Sequence, residues 1–122
     1  MRIYLSGPMR GVPGANFPAF DYAAIRLRVG GHEVFSPADN DREIMGWSAD
    51  FVPTDAELAA AATKLTARRC FKDDTLWICR YADAIAVLPR SDKSTGVAAE
   101  VALARALGLT IIYLGKEYDY AA

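Results

Sequence analysis

Four short apolar segments, MRIYL (1–5), HEVFSP (32–37), DAIAVLP (83–89) and TIIYLG (110–115), alternate with stretches of helical periodicity. Each is rich in β-branched or apolar residues and bounded by Gly, Pro or Asp, as strands are. This alternation constrains the fold more than any other feature of the chain. A strand that returns through a helix lies parallel to the one before it, and a parallel sheet needs helices over both faces. The expectation is an α/β domain: a single doubly wound parallel sheet of four or five strands, with flavodoxin-like or Rossmann-like three-layer architecture.

The helices are marked by spacing and by their ends. Phe17, Phe20, Ala24 and Leu27 recur at helical steps, with Asn16 as the expected cap, Pro18 in the first turn and Gly30-Gly31 as the stop. Thr54-Asp55-Ala56-Glu57 has capping-box spacing and leads an alanine-rich helix expected to run to about residue 69, with 71–81 forming or continuing a helix into the third strand. A last helix is predicted over about 96–107. The segment ADNDREIMGWSADFVP (38–53) takes no assignment from periodicity. It follows the second strand at the sheet edge where ligands of open α/β folds bind, so it reads either as a lid insertion or as a plain surface loop.

With 122 residues, 52% of them hydrophobic, the chain is long enough for one domain with a real core, spanning 1–122. Fourteen basic and fifteen acidic residues leave a net charge of -1, so there is no basic field for a nucleic-acid polymer or an anionic membrane, and a small-molecule ligand fits better. Cys70 and Cys79 stand nine apart, and the chain has one histidine, so a Cys/His zinc site cannot be assembled. Two reduced thiols, no metal and no cofactor are expected. No apolar run approaches the ~20 residues of a membrane span, and the N-terminus lacks a signal-peptide layout, which predicts a cytoplasmic protein.

The candidate site gathers at the strand ends. The first and third strands run into GPMRG (7–11) and RSDKSTG (90–96), both rich in backbone donors and both leading towards helices. Gly7, Arg10, Gly11, Ser94, Thr95 and Gly96 would together hold an anion. The other reading is that the glycines only turn the chain, since neither GxGxxG nor a P-loop is present. Glu100 falls on the stripe of Val97, Val101, Ala104 and Leu107, which puts a carboxylate on the core-facing side of its helix. A helix N-terminus and nearby hydroxyls would keep it ionised and poised as a nucleophile. The alternative is a glutamate leaning outward to pair with Arg105 or Lys93. Asp73 and Asp74 sit on the helix before the third strand, where aspartate is a poor helix former unless it caps or works. Tyr4 is either a core tyrosine or part of the site. Asp83 reads as a turn or cap, and His32 as structural.

The run YLSGPMRG, Asp74 on a helix before ADAIAVLP, and STGVAAEVALARALG with its Ser/Thr-x-Gly-x-x-x-Glu arrangement resemble the nucleoside 2-deoxyribosyltransferase-like superfamily. Within it the likeness is to small members of uncharacterised function and next to the deoxynucleoside 5'-monophosphate N-glycosidases. The resemblance implies cleavage or exchange of the base of a deoxynucleoside or its 5'-monophosphate by a homo-oligomer. It makes Glu100 the nucleophile at the anomeric carbon, Asp74 the acid that assists the leaving base, and Tyr4 the residue that orients the nucleophile. Gly7, Arg10, Ser94 and Gly96 match loops that hold a 5'-phosphate. Asp74 lies nine residues before Asp83, one more than is usual in the family, so Asp73 stays open as the acid. Two other readings stand beside this one: a non-catalytic nucleotide-binding or sensor module, and an NAD-consuming glycosidase.

Overall fold

The computed structural model describes residues 1–121. Its four strands, β1 (Arg2–Ser6), β2 (Glu33–Phe35), β3 (Ala84–Val87) and β4 (Thr110–Tyr113), form one sheet in the order β2-β1-β3-β4. Every neighbouring pair is parallel, with Tyr4 opposite both Phe35 and Ile85, and Ala84 opposite Thr110. Helix α1 (Phe17–Val29) joins β1 to β2. Three helices, α2 (Pro37–Met45), α3 (Asp55–Ala61) and α4 (Ala67–Tyr81), lie between β2 and β3, and α5 (Thr95–Ala106) joins β3 to β4. The three-layer α/β expectation holds, with four strands among the described residues. No helix among them is long and apolar enough to cross a membrane.

The period of two along β1 splits the core. Ile3 and Leu5 face Phe17, Phe20, Ala24, Leu27 and Val34 on the α1 side. Tyr4 faces the other way, into a cluster with Ile78, Ile85, Val87, Val97, Val101 and Ala104 on the α4–α5 side. Phe17 and Phe20 are fully buried, and each such side chain contributes roughly 1.5–3 kcal/mol of burial.

Two local expectations are corrected. Asn16 does not cap α1: it adopts a left-handed conformation with φ 64°, and its amide donates to the Pro8 carbonyl at 2.9 Å, bracing the glycine loop instead. The alanine-rich helix does not reach residue 69. It ends at Ala61, and the chain restarts at Thr66, whose hydroxyl accepts the Arg69 N–H at 3.1 Å. Only Ala61 of α3 is buried, so no apolar face carries the helix past the β-branched Thr63 and Thr66. The capping box of Thr54 and Glu57 is formed as read.

Finally, the segment 38–53 is helical in its first half. Pro37 starts α2 after Ser36, and Gly46 ends it. Arg42, buried, donates to Asp21 at 2.6 and 2.9 Å, to Asp39 at 3.1 Å and to the Phe51 carbonyl at 2.8 Å, with its guanidinium over the Phe17 ring. One side chain thus ties α2 to α1 and to the loop beyond. Trp47 packs on Phe17 and Phe51 from the same side.

Candidate functional site

In the order β2-β1-β3-β4, the chain leaves β1 in one direction for β2 and resumes at β3 on the other side. The carboxyl ends of β1 and β3 are therefore the switch point of the sheet, where loops diverge and leave a crevice. Ser6 pairs with Val87, and the Leu88 N–H donates to the Ser6 carbonyl at 2.8 Å, so the loops 7–11 and 88–94 rise side by side.

Just below this edge lies a cluster of acids and hydroxyls. Tyr4 and Ser6, two apart on β1, point to the same face and meet α5 there. The Tyr4 hydroxyl donates to Glu100 Oε2 at 2.6 Å and the Ser6 hydroxyl donates to Glu100 Oε1 at 2.6 Å. Tyr4 and Ser6 are completely buried and Glu100 is 6% exposed. Glu100 thus faces inward, as its stripe predicts, and pairs with neither Arg105 nor Lys93. The hydroxyls that serve it come from the strand rather than from the start of its own helix.

Asp74, one turn before Ile78 on α4, is 9% exposed and borders the Tyr4 hydroxyl, whose proton goes to Glu100. Burial, followed by the charges of Glu100 and Asp41, pushes the Asp74 carboxyl up to about 8. Burial also raises Glu100, but the bonds from Ser6 and Tyr4 act against it. Charge goes where the donors are. At neutral pH Asp74 thus keeps its proton, the two donors favour the charged form of Glu100, and Tyr4 stays neutral because burial and Glu100 raise its value well above normal. Asp73 points elsewhere: it accepts the Asn40 amide at 3.2 Å, with its side chain 27% exposed. Of the two adjacent aspartates, Asp74 is the one against Glu100.

The loop residues are less tightly placed. Gly7 is a packing glycine: a Cβ there would overlap the Leu88 side chain, 2.9 Å from its Cγ, and stand 3.1 Å from the Phe20 ring. Arg10 and Gly11 are exposed on the turn beyond it, and Gly11 has φ +80°, a conformation that favours glycine. Ser94 caps α5 by accepting the Val97 N–H at 3.2 Å, which leaves its own O–H proton to donate outward. Thr95 and Gly96 form the exposed first turn, and a Cβ on Gly96 would meet only Ser94 Oγ at 3.8 Å. Packing does not require a glycine at position 96. Ser36, which precedes α2 at the end of β2, is buried with a hydroxyl unpaired among the described residues.

The family model described as Domain of unknown function (DUF4406) matches residues 1–113. The chain belongs to this family. Neither a curated protein nor a solved structure matches it. The DUF4406 span ends at the last residue of β4 and takes in both loops, Tyr4, Ser6, Asp74 and Glu100.

Two grooves flank the site. One, of about 330 Å³, runs along β3 and α5 between Ser91, Ser94, Val97, Val101 and Tyr113. The other, about 210 Å³, lies on the α1 side between Pro8, Val12, Leu88 and Tyr118. The carboxyls of Glu100 and Asp74 line neither. Asp83 and His32 belong to the fold. Asp83 accepts the Arg2 N–H at 2.7 Å at the opposite edge of the sheet, as a cap would, and His32 Nδ1 lies 3.2 Å from the N-terminal amine. No group of three or more His, Cys, Asp or Glu among the described residues is arranged to hold a metal ion.

Ser6 is the site residue that the motifs do not single out. Its signal is nonetheless in the sequence: it stands two positions after Tyr4, on the same face of a strand whose alternation is legible.

Proposed function

We propose that the domain cleaves or exchanges the base of a deoxynucleoside or deoxynucleoside 5'-monophosphate, with Glu100 as nucleophile and Asp74 as acid. One observation carries this reading: a buried glutamate accepting two 2.6 Å hydroxyl bonds, beside a buried aspartic acid that holds its proton to about pH 8, at the switch point of the sheet. A poised pair of one charged and one protonated carboxyl suits a bond that breaks through an oxocarbenium-like state. The resemblance of YLSGPMRG and STGVAAEVALARALG to nucleoside 2-deoxyribosyltransferase-like proteins supports the same chemistry.

In this reading a Glu100 oxygen forms a bond to the anomeric carbon as the glycosidic C–N bond breaks. The bonding pair leaves with the base, and the Asp74 proton goes to the base nitrogen. Water or a second base then attacks the same carbon and gives a proton to the Asp74 carboxylate, and Glu100 is released. Tyr4 and Ser6 hold the nucleophile and limit its rotation. Gly7, Arg10, Gly11, Ser94, Thr95 and Gly96 belong to the proposed phosphate end, with Arg10 as charge partner and the Ser94 hydroxyl as donor. Self-association and a cytoplasmic location are part of the same proposal.

The test is base release from a panel of deoxynucleosides and their monophosphates, with and without a free acceptor base. Glu100→Gln is expected to keep the fold and lose several orders of magnitude in turnover, because the amide cannot form the ester. Full turnover by this variant refutes the nucleophile. Binding without turnover, unchanged by the substitution, makes the domain a nucleotide sensor. Release of nicotinamide from NAD alone makes it an NAD-consuming glycosidase. Arg10→Ala is expected to weaken the monophosphate by about 1.5–3 kcal/mol and to spare the nucleoside. Titration calorimetry reads both, and equal losses for the two ligands refute the phosphate contact.

A further inference from the structure

A fourth carboxyl lies near the site and has no part in the chemistry above. Asp41, on α2, is 7% exposed, and the adjacent Arg42, whose charge is felt there, gives its hydrogen bonds to Asp21 and Asp39 instead. Its hydrogen-bond partner is a weak one, the Cys70 thiol, with Sγ 3.6 Å from Oδ1. A carboxylate buried against a thiol, with the neighbouring guanidinium committed elsewhere, does little for stability. Its location is more telling. Cys70, half-buried, and Asp74 are one turn apart on α4, so the thiol that holds Asp41 shares a face of the helix with the acid.

Resting on the reading of Asp74 as acid, we infer that Asp41 is a positioning residue: its charge, seated between α2 and α4 against Cys70, keeps the proton on Asp74. The groups that face Asp74 are Glu100 from α5, Tyr4 from β1, Asp41 from α2, and Asp73 and Cys70 from its own helix. Glu100 and Asp41 are the two largest charge effects on it, ahead of Asp73. Asp41 is faced by Cys70, Asp73 and Asp74 from α4 and by Arg42 from its own helix. Burial raises Asp41 to about 6, so it is charged throughout the range in which Asp74 titrates. Cys70, pushed up to about 12, remains a thiol and a donor. This divides the work: Glu100 reacts, and Asp41 supplies a second negative charge that does not touch the substrate.

The test follows the side-chain carboxyl ¹³C signals of the full chain against pH. Asp41→Asn, which keeps an oxygen for the Cys70 thiol, is expected to lower the Asp74 midpoint by about half a pH unit or more, and Asp73→Asn to lower it by less. Asp41→Leu removes the same charge with an apolar side chain and is expected to repeat the shift. In the unsubstituted chain the Asp74 signal is expected to register a step near pH 6, where Asp41 ionises. That readout needs no variant to fold. A fixed Asp74 midpoint, a larger effect from Asp73→Asn, or no step near pH 6 overturns the inference. Absence of base release with these shifts present refutes the proposed function and leaves the coupling standing. Base release with a fixed midpoint refutes the role of Asp41 alone, and where activity is found, the alkaline limb of kcat is expected to move down with the midpoint.

Discussion

Replacing Asp74 with asparagine tests the electrostatics of the site through stability, with no substrate needed. In the folded chain this carboxyl, 9% exposed, is raised from an ordinary 3.8 to about 8, by burial first and then by Glu100 and Asp41. An acid whose folded value is raised carries no penalty below about pH 4, where folded and unfolded chains both hold the proton. Between about pH 4 and pH 8 the unfolded chain releases a proton that the folded chain retains, so stability is lost as pH rises, by about 1.4 kcal/mol per pH unit. Above that range the loss levels off, and the gap between the two values sets a ceiling of ~6 kcal/mol. Asparagine has nearly the same shape, can turn an N–H towards the Tyr4 oxygen, and has no proton to retain. The variant is therefore expected to match the unsubstituted chain near pH 4 and to be more stable by at least ~2 kcal/mol near pH 8, roughly 6–10 °C in Tm for a domain of this size. Urea denaturation of both chains across that range, followed by far-UV circular dichroism, measures the difference directly. A gap that does not change with pH, or a variant less stable at pH 8, would show that Asp74 is not held protonated and would remove the acid from the proposed chemistry.

Ser6→Ala takes the donor from Glu100 Oε1 and is expected to cost roughly 1.5–3 kcal/mol where Glu100 is ionised, with the loss fading in acid and the Glu100 carboxyl signal titrating at higher pH; a pH-independent loss would assign Ser6 to packing alone. Gly7→Ala drives a methyl into Leu88 and is expected to destabilise by about 1–3 kcal/mol in thermal melts even without ligand. An unchanged Tm would free Gly7 from its packing role.

Much of the fold is legible in the sequence because it rests on local periodicity. Four apolar segments separated by helical stripes imply a parallel α/β sheet whatever the details. The stripe of Val97, Glu100, Val101 and Ala104 points a carboxylate towards the core, the bonds from Tyr4 and Ser6 decide it against an outward pairing with Arg105 or Lys93, and Thr54 and Glu57 announce their capping box. Asn16 has the right type for a cap, but the carbonyl of Pro8, brought near by the folded loop, captures its amide. The alanine-rich helix looks continuous because alanine favours helix everywhere, and its break at Ala62 reflects what the rest of the molecule fails to offer as a packing face. Arg42 gives no sign in a polar, unpatterned stretch of being buried, since its main partner, Asp21, comes from α1 and the Phe51 carbonyl reaches it only once the loop after α2 folds back.

The site divides along the same line. Residue type and helical phase pick out Glu100, and a strand period of two links Tyr4 with Ser6. What the tertiary structure alone decides is which groups share a proton. Sequence spacing leaves Asp73 and Asp74 open, and their chemistry differs because one faces Asn40 near solvent while the other is buried against Tyr4. The same holds for Asp41, whose influence on Asp74 comes from the packing of α2 on α4 across more than thirty positions of chain. A protonation state depends on burial and on charges brought near by folding, and neither quantity is carried by the order of residues along the chain.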